Sequence, residues 1–280
     1  HDVYFSSDYD EVSGAGATAV ETTYGPNSWT PPTTPGSGTV YYWRVDTYDN
    51  GGPPYEGVVW QFTTKYTIDD EHLILWYKFD ETSGDDAIDA SGYGHHGDVD
   101  EEDNWDANGH YDGCLLFDDD QAVDVPAKVT KYIGSQISVS VWLNGLKNQR
   151  RDADNTILDI STGEISTYAI RALVPDQSSD VVWRAGNDTN DLLVWDTATP
   201  RGWEGDWHHL VFIKDEDAGT MSIYFDADLK KTKPGTLSTL SNLSYRPFKI
   251  GAYTSHSSNY EGFMDDLRIY DYAIPKSKVE

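Results

Sequence analysis

The sequence predicts an all-β protein made of two sandwich units. Three observations carry this. Short runs in which apolar and polar residues alternate recur along the chain, as in Ile137-Ser138-Val139-Ser140-Val141-Trp142-Leu143. Aromatic residues (10 Trp, 19 Tyr, 8 Phe) are spaced among 24 Gly and 12 Pro, the composition of strands joined by turns. No stretch carries the apolar period of a long amphipathic helix; the segment around Lys128–Tyr132 reaches a turn or two at most.

The first unit spans residues 1–65. Strand signals are Asp2-Val3-Tyr4-Phe5, then Thr39–Asp46, then Gly57–Thr64, where Val58, Trp60 and Phe62 alternate with small or polar neighbours. The Pro-rich stretch Trp29–Gly36 between them reads as loop. A polar linker, residues 66–72, follows. The second unit spans residues 73–280 and opens on Leu73–Phe79. Cys114–Phe117, Ala122–Val125, Ile137–Leu143, Thr156–Ile160, Tyr168–Leu173 and Ser179–Arg184 come next, then Leu192–Trp195, Trp207–Lys214, Met221–Phe225, Phe248–Ile250 and Met264–Tyr270. So many short strands in one stretch imply a two-sheet jelly roll.

Charge and cysteine usage exclude several functions. With 48 acidic against 20 basic residues the net charge is −28, which repels phosphate backbones and anionic membranes, so neither nucleic acid nor membrane insertion is expected. The same charge suits salty or calcium-rich surroundings, or a generically acidic extracellular surface. No apolar run is long enough to span a bilayer as a helix. The single cysteine, Cys114, sits in a strand pattern and reads as a small buried hydrophobe. The chain opens already inside a strand-like pattern, which points to a longer precursor.

Two resemblances sharpen this. Thr39–Val45 with Val59–Thr64 looks like the last two strands of a fibronectin type III domain, with Tyr42 in the tyrosine-corner role and the first two strands missing. In the second unit, five motifs stand in order: Trp76–Glu81, Asp89–Gly97, Ser140–Trp142, Asp206–Val211 and Gly262–Ala273. Together they resemble the laminin-G-like branch of the concanavalin-A-like lectin/glucanase superfamily. The implied fold is a concanavalin-A-like jelly-roll sandwich preceded by an incomplete immunoglobulin-like sandwich. In that fold the first and last strands pair antiparallel, which brings Asp80 and Asp265 together. Asp89, with Ser91 and Gly92 as carbonyl donors, completes the expected Ca²⁺ site, since hard oxygen donors suit that ion. Asp266, Asp85 and Asp86 are further candidates, and Asp118–Asp120 reads as a solvated turn. Trp142 and Trp207 are expected in the core, and His208 and His209 in structural roles.

Glycosidases share this sandwich, but they need two carboxylates facing each other across the sugar bond. Glu101–Asp106 is the nearest pattern; it lacks the final Glu and the strand alternation, so no enzyme is expected. The expected function is a calcium-binding carbohydrate-binding or adhesion module of a larger secreted or cell-surface protein; the alternative is a structural spacer that contacts protein. Its partners would be a glycan and other domains of the same polypeptide. Sugar sites pair an aromatic face with polar side chains, which selects Trp183, Arg184, Trp203, Tyr253, His256 and Tyr260. Arg171 and Arg184 would hold an acidic or sulfated sugar.

Overall fold

The computed structural model describes the chain except residues 15–20, 23–28, 32–34, 36–39, 50, 64–69, 101–103, 119–120, 148, 150–152, 162–167, 188–190, 197–201, 236–237, 241–242, 256–257 and 280. It divides into two compact units, His1–Asp69 and Asp70–Glu280.

The first unit is one antiparallel sheet of β1 (Asp2–Ser6), β2 (Glu21–Thr22), β3 (Val40–Asp46) and β4 (Trp60–Thr63), in the order β2-β1-β3-β4. Arg44 and Asp46 are buried on one face, with the Arg44 guanidinium 4.3 Å above the Tyr4 ring. The other face is aromatic: Phe5 stacks on Tyr41 at 4.8 Å, while Trp43, Trp60 and Phe62 stay exposed. Tyr42 meets Tyr9 edge-on.

The second unit contains β5 (Leu73–Tyr77), β6 (Asp86–Ala87), β7 (Gly97–Val99), β8 (Trp105–Asp106), β9 (Cys114–Phe117) and β10 (Val123–Val125). Then follow β11 (Gln136–Gly145), β12 (Thr156–Ile160), β13 (Tyr168–Leu173), β14 (Val181–Asn187), β15 (Leu192–Trp195) and β16 (His208–Asp215). β17 (Thr220–Phe225), β18 (Asp228–Pro234), β19 (Phe248–Ile250) and β20 (Gly262–Tyr270) complete it. Sheet I runs β15-β14-β13-β12-β19-β10-β7-β6; sheet II runs β18-β17-β16-β11-β20-β9-β8, with β5 also on β20.

Period-two alternation builds the layer between them. Ile137, Val139, Val141 and Leu143 of β11 face inward with Leu210 and Phe212 of β16, against Val181, Trp183 and Ala185 of β14. Trp142 falls on the opposite phase, so it is not core as expected. It stands on the outer face of sheet II, stacked 3.5 Å from the His110 ring and 5.0 Å from His209. Trp207 is likewise half-buried. Lys214 is fully buried, its Nζ donating to the Ala185 carbonyl at 2.7 Å and facing Asp191 at 3.3 Å.

Trp183 is 0 % exposed, and its indole N–H donates to the Ile213 carbonyl at 3.2 Å. Trp183→Ala is expected to cost about 3–5 kcal/mol, read as a lowered urea midpoint of the second unit. A cost below about 1 kcal/mol would show that the indole is not a core group.

Candidate functional site

The junction of β5 and β20 gathers the first set of polar groups. Leu267 stands opposite Tyr77, so the chain just after β5 lies beside the start of β20. Between Ser140–Arg268 and Trp142–Asp265, the single residue Val141 faces both Asp266 and Leu267, which makes a bulge. Asp266 takes a positive φ of 51° there. The extra residue lets two consecutive acids leave the core between inward-facing Met264 and Leu267.

Those two acids have different surroundings. Asp266 Oδ1 accepts from the Trp76 indole N–H at 2.6 Å, and its Oδ2 pairs with Arg268 at 2.9 Å. Asp265 is 1 % exposed; its Oδ2 accepts from the Tyr111 N–H at 2.7 Å, and its buried Oδ1 meets no donor among the described residues. Burial, with the Asp266 and Asp80 charges, pushes the Asp265 carboxyl up to about 7. Asp80 Oδ1 accepts from the Gly113 N–H at 3.1 Å, and Lys78 Nζ lies 3.1 Å from Oδ2.

The loop Asn108–Gly113 packs between these carboxylates and requires glycine. A Cβ on Gly109 would lie 2.0 Å from the Gly113 carbonyl oxygen and 2.9 Å from Asp265 Oδ2. One on Gly113 would lie 3.0 Å from the Phe79 carbonyl oxygen and 3.4 Å from that of Asp106. Phe79 (φ 57°) and Asp112 (φ 52°) are left-handed as well, a conformation that costs on the order of 1–3 kcal/mol at each non-glycine residue.

Asp89 stands apart from this set. It bridges to Tyr77 on the edge of β5 opposite β20, so the strand separates it from Asp265. Its carboxylate accepts from the N–H groups of Trp76 (3.1 Å), Ser91 (2.9 Å) and His95 (2.8 Å), which pins the 89–95 loop to β5. Ser91 and Gly92 belong to that loop. Asp86 is exposed opposite Asp98, and Asp85 is exposed too. No group of three or more His, Cys, Asp or Glu side chains converges among the described residues.

The expected sugar contacts divide in the same way. Trp183, Trp203 and Tyr260 are 0–1 % exposed and belong to the core, which corrects their assignment as ligand contacts. The alternation phase decides this for Trp183, because Val181 and Ala185 on either side also face inward. His256 lies outside the described residues, as do Glu101–Asp103.

Arg184 and Tyr253 meet at a cleft of about 220 Å³ on the outer face of sheet I. Its floor is Leu173, Val182, Leu192 and Val194 from β13, β14 and β15. Asp154, Asp176 and Gln177 stand around it with Arg171. The Arg171 guanidinium lies 4.4 Å over the Tyr253 ring, and Nε bonds Asp159 at 2.6 Å. The Tyr253 hydroxyl donates to Asp154, and burial raises its pKa. The floor residues escape a search for aromatics; their signal is the apolar phase of β14 and β15 opposite to the core phase.

A laminin-G family profile of the concanavalin A-like lectin/glucanases superfamily matches residues 117–280. The chain belongs to this superfamily. Solved structures share the superfamily fold. Domain 4 of AbnA, a GH43 extracellular arabinanase from Geobacillus stearothermophilus, solved in complex with arabinotriose, is 19% identical with a TM-score of 0.55, over 74% of this chain and 96% of its own. The binding domain of Paraclostridial Mosquitocidal Protein 1 is 14% identical (TM-score 0.55), over 75% of this chain and 51% of its own. The receptor binding domain of botulinum neurotoxin C/D mosaic serotype is 15% identical (TM-score 0.52), over 75% of this chain and 50% of its own. The chain thus spans about half the length of the two toxin domains. At these identities the likeness is one of fold. No curated protein matches the chain in sequence.

In the superfamily sandwich of this chain, the buried Asp265 carboxyl makes stability depend on pH. Its folded-state pKa stands near 7, above the ordinary 3.8, so the folded state holds the proton more tightly. Its favourable contribution is full below about 3.8 and is lost as pH rises to about 7. In EDTA the urea midpoint should therefore fall across that window, and Asp265→Asn should flatten the fall. An unchanged slope in the variant would assign the pH dependence elsewhere.

Proposed function

We propose that residues 70–280 act as a non-catalytic glycan-binding module of a larger secreted or cell-surface protein, with one Ca²⁺ at the Asp80–Asp265 junction. The cleft beside Tyr253 carries this reading. It combines an apolar floor, an aromatic wall and polar groups on a lectin-superfamily fold, the combination sugar rings require. The arabinanase domain, solved with arabinotriose, supports a glycan as the ligand class.

The junction residues fit a calcium ion. Among the described residues Asp265 Oδ1 is a buried acceptor that meets no donor, and the Asp80 carboxylate and the Gly113 carbonyl oxygen lie near the same carboxyl group. Asp80 and Asp265 would hold the ion, with carbonyl oxygens of Phe79 and Asp106 close by. Ca²⁺ there would add positive charge beside Asp265, since the Lys78 ammonium lies on Asp80 Oδ2. Asp89, Ser91 and Gly92 would serve the neighbouring loop rather than the ion. The first unit would be a fibronectin type III-like spacer, and its exposed Trp43, Trp60 and Phe62 favour contact with another domain of the same polypeptide.

Calcium at a hundredfold excess over its Kd should raise the melting temperature by about 5–10 °C. Asp265→Ala should abolish that rise, whereas Asp89→Ala should lower stability with and without calcium. Identical melting in EDTA and in millimolar calcium would refute the ion site. For the cleft, Arg184→Ala should weaken glycan binding about tenfold or more by calorimetry. Full retention of affinity would place the sugar elsewhere.

A further inference from the structure

Two arginines in a sugar-binding cleft suggest, at first sight, an acidic ligand. The register of sheet I argues otherwise. A single row crosses its outer face: Asp124 opposite Lys249, Lys249 opposite Asp159, Asp159 opposite Arg171, and Arg171 opposite Arg184. Acids and bases therefore interleave along most of the row. Directly opposed side chains on neighbouring strands lie roughly 4.5–5.5 Å apart at Cβ, so Lys249 and Arg171 each have an acidic neighbour, whereas Arg184 stands between Arg171 and Leu192.

The contacts bear this out. Lys249 Nζ sits 2.8 Å from Asp124. Arg171 Nε sits 2.6 Å from Asp159, its Nη2 donates to Ser161 Oγ at 3.3 Å, and its flat face rests on Tyr253. With 5 % of its surface exposed, Arg171 shapes the wall of the cleft, and its charge is spent on Asp159. Asp154 and Asp176 add two carboxylates at the edge. Their oxygens accept N–H bonds from Gln177 and from Ser178 and Asp180, which hold them in place as charged acceptors. The carboxylates of Asp154, Asp159 and Asp176 thus outnumber the guanidinium groups of Arg171 and Arg184. The whole chain, at −28, adds a field of the same sign.

Resting on the glycan reading above, we infer that the cleft selects neutral sugars and rejects uronic and sulfated ones. A neutral ring places its C–H face on Leu173, Val182, Leu192 and Val194. Its hydroxyls donate to carboxylate oxygens, which are stronger acceptors than neutral groups, and accept from Arg184. A carboxylate or sulfate on the ring would face Asp154 or Asp176 with no uncommitted counter-charge from Arg171.

The test is calorimetric titration of the whole chain, in calcium, with neutral oligosaccharides of arabinan, xylan, galactan and β-glucan, and with oligogalacturonides and sulfated galactan fragments. At least one neutral series should bind, the acidic ligands should bind at least tenfold more weakly, and a tenfold rise in salt should change the neutral Kd by less than about twofold. Asp176→Asn should narrow the gap by admitting acidic ligands. Tighter binding of an acidic ligand, lost on Arg184→Ala and weakened by salt, would overturn the neutral selectivity while leaving the glycan reading intact. Failure of every sugar to bind a protein that melts cooperatively would overturn both.

Discussion

β20 pairs with three strands, β11 on one edge and β9 and β5 in succession on the other, and its register against β11 slips by one residue at Asp266. That slip governs the rim of the sandwich. In an unbroken strand, two consecutive positions cannot both leave the core. The inserted residue permits it, so Asp265 and Asp266 both leave the inward phase, while Met264, Leu267 and Ile269 stay in the hydrophobic layer. Asp266 then ties β20 to Trp76 of β5 and to Arg268, and Asp265 receives the 108–113 loop. The loop in turn lays His110 on Trp142. Bulge, acid pair, glycine loop and aromatic stack are successive consequences of one extra residue.

Sheet I solves a different problem. Its outer face carries ions almost as deeply buried as its core face carries hydrocarbon. Asp159 is 0 % exposed and Arg171 5 %, and their pairing satisfies charges that would be costly alone. The Lys214–Asp191 pair does the same inside the sandwich. Such pairs contribute little net stability against an apolar alternative, but loss of one partner leaves an uncompensated buried charge. They make the sheet intolerant of single substitutions along the row from Lys249 to Arg171. The cleft opens where the row meets the apolar phase of β14 and β15.

Much of this was legible in the sequence. Clean alternation from Ile137 to Leu143 gave β11, and the five ordered motifs gave the superfamily that the profile match establishes. The pairing of the first and last strands was implied by that resemblance, and with it the placing of Asp80 and Asp265 on the same 108–113 loop. Other features were hidden for physical reasons. Trp203 and Tyr260 have the composition of sugar contacts, and only their depth in the layer marks them as core, whereas for Trp183 the phase shared with Val181 and Ala185 was the available sign. Trp142 shows the converse: its phase relative to Val141 and Leu143 was readable and pointed outward. The spacing Met264, Leu267, Ile269 breaks the period of two, and that irregularity was the available sign of the bulge. Asp89 could not be placed from spacing, because which edge of β5 a loop returns to is a tertiary choice.

The position of β20 also bears on synthesis. A ribosome delivers this strand after every other strand of the sheet, yet β5, β9 and β11 all wait for it. Until it emerges, those three strands keep open hydrogen-bonding edges above a layer of Leu, Val and Phe side chains. Pairing across about 190 residues of sequence makes closure slow relative to local hairpins. The unit is therefore committed to folding after translation has passed its last strand, and it depends on being kept from its neighbours until then.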